Sequence, residues 1–300
     1  MPYSIANHTP DGRPYRLFFV AGHMRSGTNW VAALLNLHPE INCHGEGPLG
    51  YFRTAVDQIR AIDYLYSYFE PYKTVVEEAF HELARRVVLS LARIKPDAQW
   101  VGDNTTRQLW PYIPGTHHYY VLRDGRDVLT SWTFHQIRLN FEIGEPFRTS
   151  MSGHVAKFKD DIDYFKKNPH ELLSDERWVR SCASVWRDFY LTGASALRME
   201  SEGTLDIKIH PLRYETLLTD AEAQRAAMYR FLDLDPALAA PMSEEGLTAP
   251  GFKHDRPDLF HRSGKAGDWQ KYTNDNFRRW FKEEAGEALI EAGYEANNNW

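Results

Sequence analysis

Cysteine, long apolar runs and an excess of charge of one sign are all scarce in this sequence, and each scarcity removes a class of protein. Two cysteines in 300 residues, Cys43 and Cys182, cannot build a disulfide framework, which points to a reducing, cytoplasmic compartment. The formal net charge is only −6, from 35 basic and 41 acidic residues. Nucleic-acid binders usually carry a basic stripe, so no nucleic-acid partner is expected and any basic site must be local. No apolar run approaches the roughly 20 residues that span a bilayer, so no membrane partner is expected. Met1 to Arg16 is polar and holds prolines, unlike a secretory signal. Internal repeats are absent, and the one biased tract, Asn297–Asn299, reads as a frayed tail.

What is present is ordinary for a packed protein. Hydrophobic residues make up 43% and aromatics 14%, too apolar for disorder. The length fits one domain spanning 1–300, with a helical annex. Short, continuously apolar stretches read as strands buried on both faces: Leu17–Ala21, Gln99–Val101 ending at Gly102-Asp103, His118–Leu122, and Asp206–Ile209 ending near His210-Pro211. Helical periodicity lies between and after them. Val75 to Leu91 is closed by Pro96, Trp178 to Phe189 follows, and Phe277 to Ile290 is ended by Gly293. Strand, helix, strand order predicts an α/β fold: a central parallel sheet flanked by helices. Ligands in such sheets bind beyond the carboxyl ends of the strands, so the loops after each strand matter most.

The first loop, Gly22 to Trp30, passes from a strand into a helix bearing Trp30, Val31, Leu34 and Leu35 on one side. Backbone N–H groups at such a helix start cradle anions, and Arg25 adds a cation. Gly22 and Gly27 have Walker A spacing, but Thr28 stands at the lysine position and Asn29 at the Mg²⁺-binding hydroxyl. The plainer alternative is a strand-to-helix turn capped by Ser26 or Thr28. The second loop, Arg123-Asp124-Gly125-Arg126-Asp127 with Ser131 beyond it, suits a second phosphate or else a surface salt-bridge cluster. The third, Phe260 to Trp269 after the coil Ala249–Pro257, reads as a mobile flap or an exposed linker.

Together these segments resemble the sulfotransferases that use 3′-phosphoadenosine 5′-phosphosulfate (PAPS), with a cytosolic-type P-loop-like fold. Arg25-Ser26-Gly27-Thr28-Asn29-Trp30 is similar to that family's K/R-S-G-T-T-W loop. Arg123, Asp127 and Ser131 match its R-x-x-x-D-x-x-x-S element. Arg262, Ser263, Gly264, Gly267, Asp268 and Trp269 resemble its R-K-G-x-x-G-D-W flap, and Tyr214-Glu215 its Y-E-D segment. The resemblance runs in order from Phe18 to Tyr272 and implies the following roles. Arg25 would hold the 5′-phosphosulfate and offset charge on the bridging oxygen, with Ser26, Gly27, Thr28 and Asn29 cradling the same group. Trp30 would stack on adenine, unless it is a core aromatic, and Tyr214 would lie near that base. Arg123, Ser131, Arg262, Ser263 and Gly264 would serve the 3′-phosphate. Asn29 replaces a usual threonine, Ser263 a usual cation, and Asn104 the lysine of the family's G-D-K-T-P.

An acceptor hydroxyl or amine must also lose a proton, and a positioned base contributes roughly 10²–10⁴-fold. The histidine that one branch of the family carries after its second conserved strand is absent from Gly102–Thr106. The turn His38 to Glu46 resembles that of the tyrosylprotein and bacterial branches, which implies Glu46 as general base, with His44 and Asp103 as substitutes. His117 and His118, at a strand start, read as structural. The segments Gly50–Tyr72 and Gln136–Asp175 are expected to line the acceptor side, with 136–200 a helical cover and 249–272 a flap over the nucleotide. Mixed charges on the second segment (Lys157, Lys159, Lys166 and Lys167 with Asp160, Asp161 and Asp163) favour a small-molecule acceptor over a polymer. The expected reaction is metal-free sulfuryl transfer from PAPS, leaving adenosine 3′,5′-bisphosphate. The alternatives are a P-loop nucleotide kinase and a non-catalytic nucleotide-binding protein of the same fold.

Overall fold

Five strands pair in parallel in the order β2-β3-β1-β4-β5: β1 (Arg16–Gly22), β2 (Ile41–Gly45), β3 (Trp100–Thr105), β4 (Thr116–Leu122) and β5 (Ile207–Arg213). The computed structural model describes residues 15–45, 47–62, 70–105, 113–139, 147–242, 256–259 and 262–300. The central strand β1 is buried at every residue but Arg16, as its continuous apolar run requires. Phe18 and Val20 join a core with α1 (Thr28–Leu35) on one face of the sheet. Leu17 and Phe19 pack on the other, beneath α2 (Leu49–Arg60) and α3 (Glu70–Ser90).

The remaining helices are α4 (Gly125–Leu139), α5 (Phe147–Asp160), α6 (Tyr164–Lys167), α7 (Glu176–Ser201), α8 (Tyr214–Thr219), α9 (Ala221–Phe231) and α10 (Asp275–Glu291). Asp175 and Asn274 cap α7 and α10 by accepting from the backbone N–H groups of Trp178 and Phe277. α10 packs along α7, and α7 on α4, around Trp186, Phe277 and Phe281. Among the described residues, no helix is long and apolar enough to cross a membrane.

Four details differ from the sequence expectation. β2 was not foreseen, because five residues holding Asn42 and His44 carry little apolar pattern; it pairs at the sheet edge with β3. β3 continues past Gly102-Asp103 to Thr105, since Asp103, Asn104 and Thr105 are buried. β5 continues through Pro211 to Arg213; a residue without an N–H is tolerated where the strand is an edge. The chain end is not frayed: the Trp300 ring lies 4.4 Å from the Arg126 guanidinium and 5.9 Å from the Trp269 ring.

Candidate active site

Parallel pairing of β1 with β4 brings Gly22 beside Val121, so the loops after these two strands emerge at one edge of the sheet. The first turns sharply. Gly27 sits at the helix start with φ 95°, and an added Cβ would lie 2.5 Å from the Tyr214 ring. Glycine is thus demanded twice, by conformation and by space. Arg25 itself adopts φ 71°, a strained value of about 1–3 kcal/mol for a residue with a side chain. Neither Ser26 nor Thr28 caps α1. The Ser26 hydroxyl is buried, 1% exposed as a residue, and meets no hydrogen-bond partner among the described residues.

Arg123, at the end of β4, joins three segments. One Nη donates to the Arg25 carbonyl at 2.9 Å and the other to the Lys265 carbonyl at 2.9 Å. Its guanidinium lies 4.2 Å from the centre of the Tyr214 ring, whose hydroxyl donates to the Gly264 carbonyl at 2.7 Å. The Arg123 Nε–H is buried without a partner among the described residues. Trp30 is 3% exposed and packs edge-on against Tyr214, which places it in the core behind that ring.

Arg25 Nε donates to Ser131 Oγ at 3.2 Å, so residues assigned by resemblance to the two ends of a nucleotide are bonded directly. Burial, reinforced by the positive charges of Arg123, Arg138 and Arg262, pushes the Arg25 pKa down to about 10. The site is therefore strongly cationic at this residue, though the chain as a whole is acidic.

The third segment is drawn over the same edge. Asp127 on α4 accepts from the backbone N–H groups of Gly267 at 2.7 Å and Trp269 at 2.9 Å. Burial, with the neighbouring Asp124 and against the pull of Arg123, raises the Asp127 carboxyl to about 6. Arg262 pairs with Asp268 inside this segment and lies 4.5 Å from the Phe134 ring centre. Ser263 is buried, and Gly264 has a positive φ. Of the salt-bridge cluster considered above for the second loop, only Arg126 and Asp124 pair, at 2.7 Å.

On the other side of β1, Asn104 donates through Nδ2 to Asn29 Oδ1. Two of the three positions that depart from the pattern described above, Asn29 and Asn104, are thus bonded to each other. Asp103 accepts from the Gly47 N–H at 3.0 Å and sits opposite His44 in the β2–β3 register. His44 Nε2 donates to Asn42 Oδ1 at 2.6 Å, which leaves Nδ1 as the ring's acceptor, and burial lowers its pKa. Glu46 lies outside the described residues, as do 249–255, Phe260 and His261, and the aromatic run Tyr64 to Phe69. His117 and His118 stand in the first half of β4, at the far end of the strand from the loops. Burial drives them down to about 4 and about 3.

Two residues escaped the sequence reading. His135 and Arg138 follow Ser131 at i+4 and i+7 on α4, and Arg138 donates to His135 Nδ1 at 3.1 Å. Burial, then Arg25 and Arg138, pushes His135 to about 4, so the ring is neutral at pH 7. Reading α4 at helical spacing beyond the motif would have found them. Among the described residues, no cluster of three or more His, Cys, Asp or Glu side chains is placed to hold a metal ion.

No protein-family model matches the chain, and neither does any curated protein. Solved structures similar to it include three sulfotransferases. One is the mouse sulfotransferase SULT7A1 complexed with PAP, at 15% identity and TM-score 0.48, covering 95% of this chain and 88% of that one. A second is the sulfotransferase domain of the Synechococcus PCC 7002 olefin synthase, at 15% and 0.40, covering 92% and 97%. A third is sulfotransferase STF9 from Mycobacterium avium, at 12% and 0.44, covering 94% and 78%.

Proposed function

We propose that this chain is a sulfotransferase that moves a sulfuryl group from PAPS to a hydroxyl or amine of a small-molecule acceptor, within a single domain spanning 1–300. The observation that carries the reading is the Arg123 guanidinium, which links the first loop, the closing segment and Tyr214, while its own Nε–H and the buried Ser26 hydroxyl of that loop meet no hydrogen-bond partner among the described residues. Buried polar atoms without partners are costly unless a ligand completes them, and these are donors suited to anionic oxygens.

In this reading Arg25, Ser26, Gly27, Thr28 and Asn29 hold the 5′ side of the nucleotide, and Arg123, Ser131, Arg262, Ser263 and Gly264 the 3′ side. Tyr214 lies near the base, with Trp30 supporting it from the core. Residues 249–272 cover the nucleotide and 136–200 the acceptor side. Sulfuryl transfer needs in-line placement and positive charge at the transferring oxygens and at the leaving group. Arg25 supplies that charge from a backbone held in a fixed, strained turn. The acceptor's proton would go to Glu46, which closes the turn that starts at His38 in the sequence, with Asp103 tying the adjacent Gly47 to β3. His44 and Asp103 are the substitute bases. Two buried free thiols, Cys43 and Cys182, support a reducing, cytoplasmic setting.

The test is purified protein with labelled PAPS and an acceptor panel, alongside calorimetric titration with adenosine 3′,5′-bisphosphate. Absence of both turnover and binding sinks the proposal. Mg²⁺-dependent turnover of ATP would establish the kinase reading instead. Bisphosphate binding with no turnover on any acceptor would favour the non-catalytic one.

A further inference from the structure

A cavity of about 440 Å³ opens where the edge strand β5 meets β4, α7 and the end of α10. Small-molecule sites occupy roughly 300–1,000 Å³ and are mostly apolar, with a few placed polar groups. This cavity has the same make-up. Leu122 and Leu212 from the strands and Ala194 and Leu197 from α7 supply apolar wall. None of its lining residues is assigned above to the nucleotide.

The polar groups that matter are Arg213, Glu291 and Tyr190. Arg213 is half-buried, donates one Nη to the Ala292 carbonyl and lies 4.6 Å from the Tyr294 ring centre. Among the described residues, its Nε–H and its other Nη meet no hydrogen-bond partner and no carboxylate pairs with it. Half-buried arginines elsewhere on α7 are ion-paired, Arg180 with Glu176 and Arg187 with Asp188. Glu291, at the exposed end of α10, likewise has no ion pair among the described residues. Burial raises the pKa of the Tyr190 hydroxyl, with Glu291 adding to the rise and Arg213 opposing it, so both charges act on that one group. A cation and an anion are therefore held near each other at one cavity without neutralising each other.

We infer that this cavity is a binding site for a small zwitterion with an apolar body, namely an apolar or aromatic amino acid. Its carboxylate takes the two unspent donors of Arg213, a planar fork suited to that group. Its ammonium goes to Glu291, and its side chain is buried against Leu122, Ala194 and Leu197. The site stands apart from the proposed sulfuryl transfer and does not depend on it.

The experiment is calorimetric titration of the whole chain with leucine, phenylalanine and tryptophan, and with their analogues lacking the ammonium or the carboxylate (3-phenylpropionate and phenethylamine for phenylalanine). Each is run with and without saturating adenosine 3′,5′-bisphosphate. At least one amino acid should bind about tenfold or more tightly than both of its analogues, since each analogue loses a charge-assisted contact. Its affinity should be the same with the bisphosphate present. In Glu291→Gln, a surface change outside the proposed transfer site, that amino acid should weaken by about tenfold while the analogue without the ammonium is unaffected. Binding of none of the three amino acids overturns the inference. So does binding of both analogues within about threefold of the amino acid, or wild-type amino-acid affinity in Glu291→Gln. Displacement by the bisphosphate, or sulfation of the amino acid with PAPS, overturns it too, by moving the ligand to the site described above. Failure of the chain to bind the bisphosphate at all sinks the sulfotransferase reading alone and leaves the amino-acid titrations to decide this one.

Discussion

Arg123→Lys is the substitution on which the architecture of the site can be measured. A guanidinium spans two carbonyls, those of Arg25 and Lys265, while lying over Tyr214. An ammonium keeps the charge but reaches only one carbonyl at a time. A hydrogen bond from a charged donor contributes about 1.5–3 kcal/mol, and the ring contact about 0.5–2 kcal/mol, of which lysine retains part. The loss is then about 2–4 kcal/mol, or roughly 30- to 700-fold in an equilibrium constant. It falls on closure of the 262–269 segment rather than on the core, because β1 and β4 remain paired. Amide hydrogen exchange reads this directly: the Gly267 and Trp269 N–H groups are bonded to Asp127 only while the segment is closed. Their exchange should accelerate at least tenfold in the variant, with bisphosphate affinity falling alongside, while amides in β1 and β4 stay protected. Unchanged exchange at Gly267 and Trp269 together with unchanged affinity would refute the claim that Arg123 joins these segments.

Other substitutions probe separate parts of the argument. Arg25→Gln should lower kcat at least a hundredfold, with a smaller loss of bisphosphate affinity, because its charge matters most where charge changes; equal losses in both would reassign it to simple binding. Gly27→Ala forces a side chain into φ 95° and against the Tyr214 ring, so urea unfolding should show a loss of about 2–4 kcal/mol. A loss under about 0.5 kcal/mol would mean the turn relaxes freely. His118 is fully buried with its pKa depressed from 6.5 to about 3. Its neutral form therefore supports the fold above the unfolded value, and that support is lost as pH falls. At pH 5 the group costs about 2 kcal/mol, from 1.36 kcal/mol per unit. Urea midpoints at pH 7 and pH 5 should show that drop in wild type and a smaller one in His118→Gln; identical drops would exclude this residue as a cause.

Local pattern already determined much of this protein. The continuous run Leu17–Ala21, the glycine-bearing turn and the apolar stripe of α1 are short-range signals, and each needs only its own neighbours in the chain. The same is true of the run ending at Arg123 and of the capped starts of α7 and α10. Contacts between distant segments were decided elsewhere. Pairing of β1 with β4 sets Arg25 against Ser131, 106 positions apart in the chain. Pairing of β1 with β3 sets Asn29 against Asn104, so that two departures from a motif become one hydrogen bond. β2 exists because an edge of β3 was open to it, not because its residues demand a strand. Trp300 docks because Arg126 and Trp269 offer it a surface. His135 and Arg138 gain their meaning only from what α4 faces. A side chain's identity and spacing are written along the chain, but the charge it meets and the water it loses depend on which strands become neighbours.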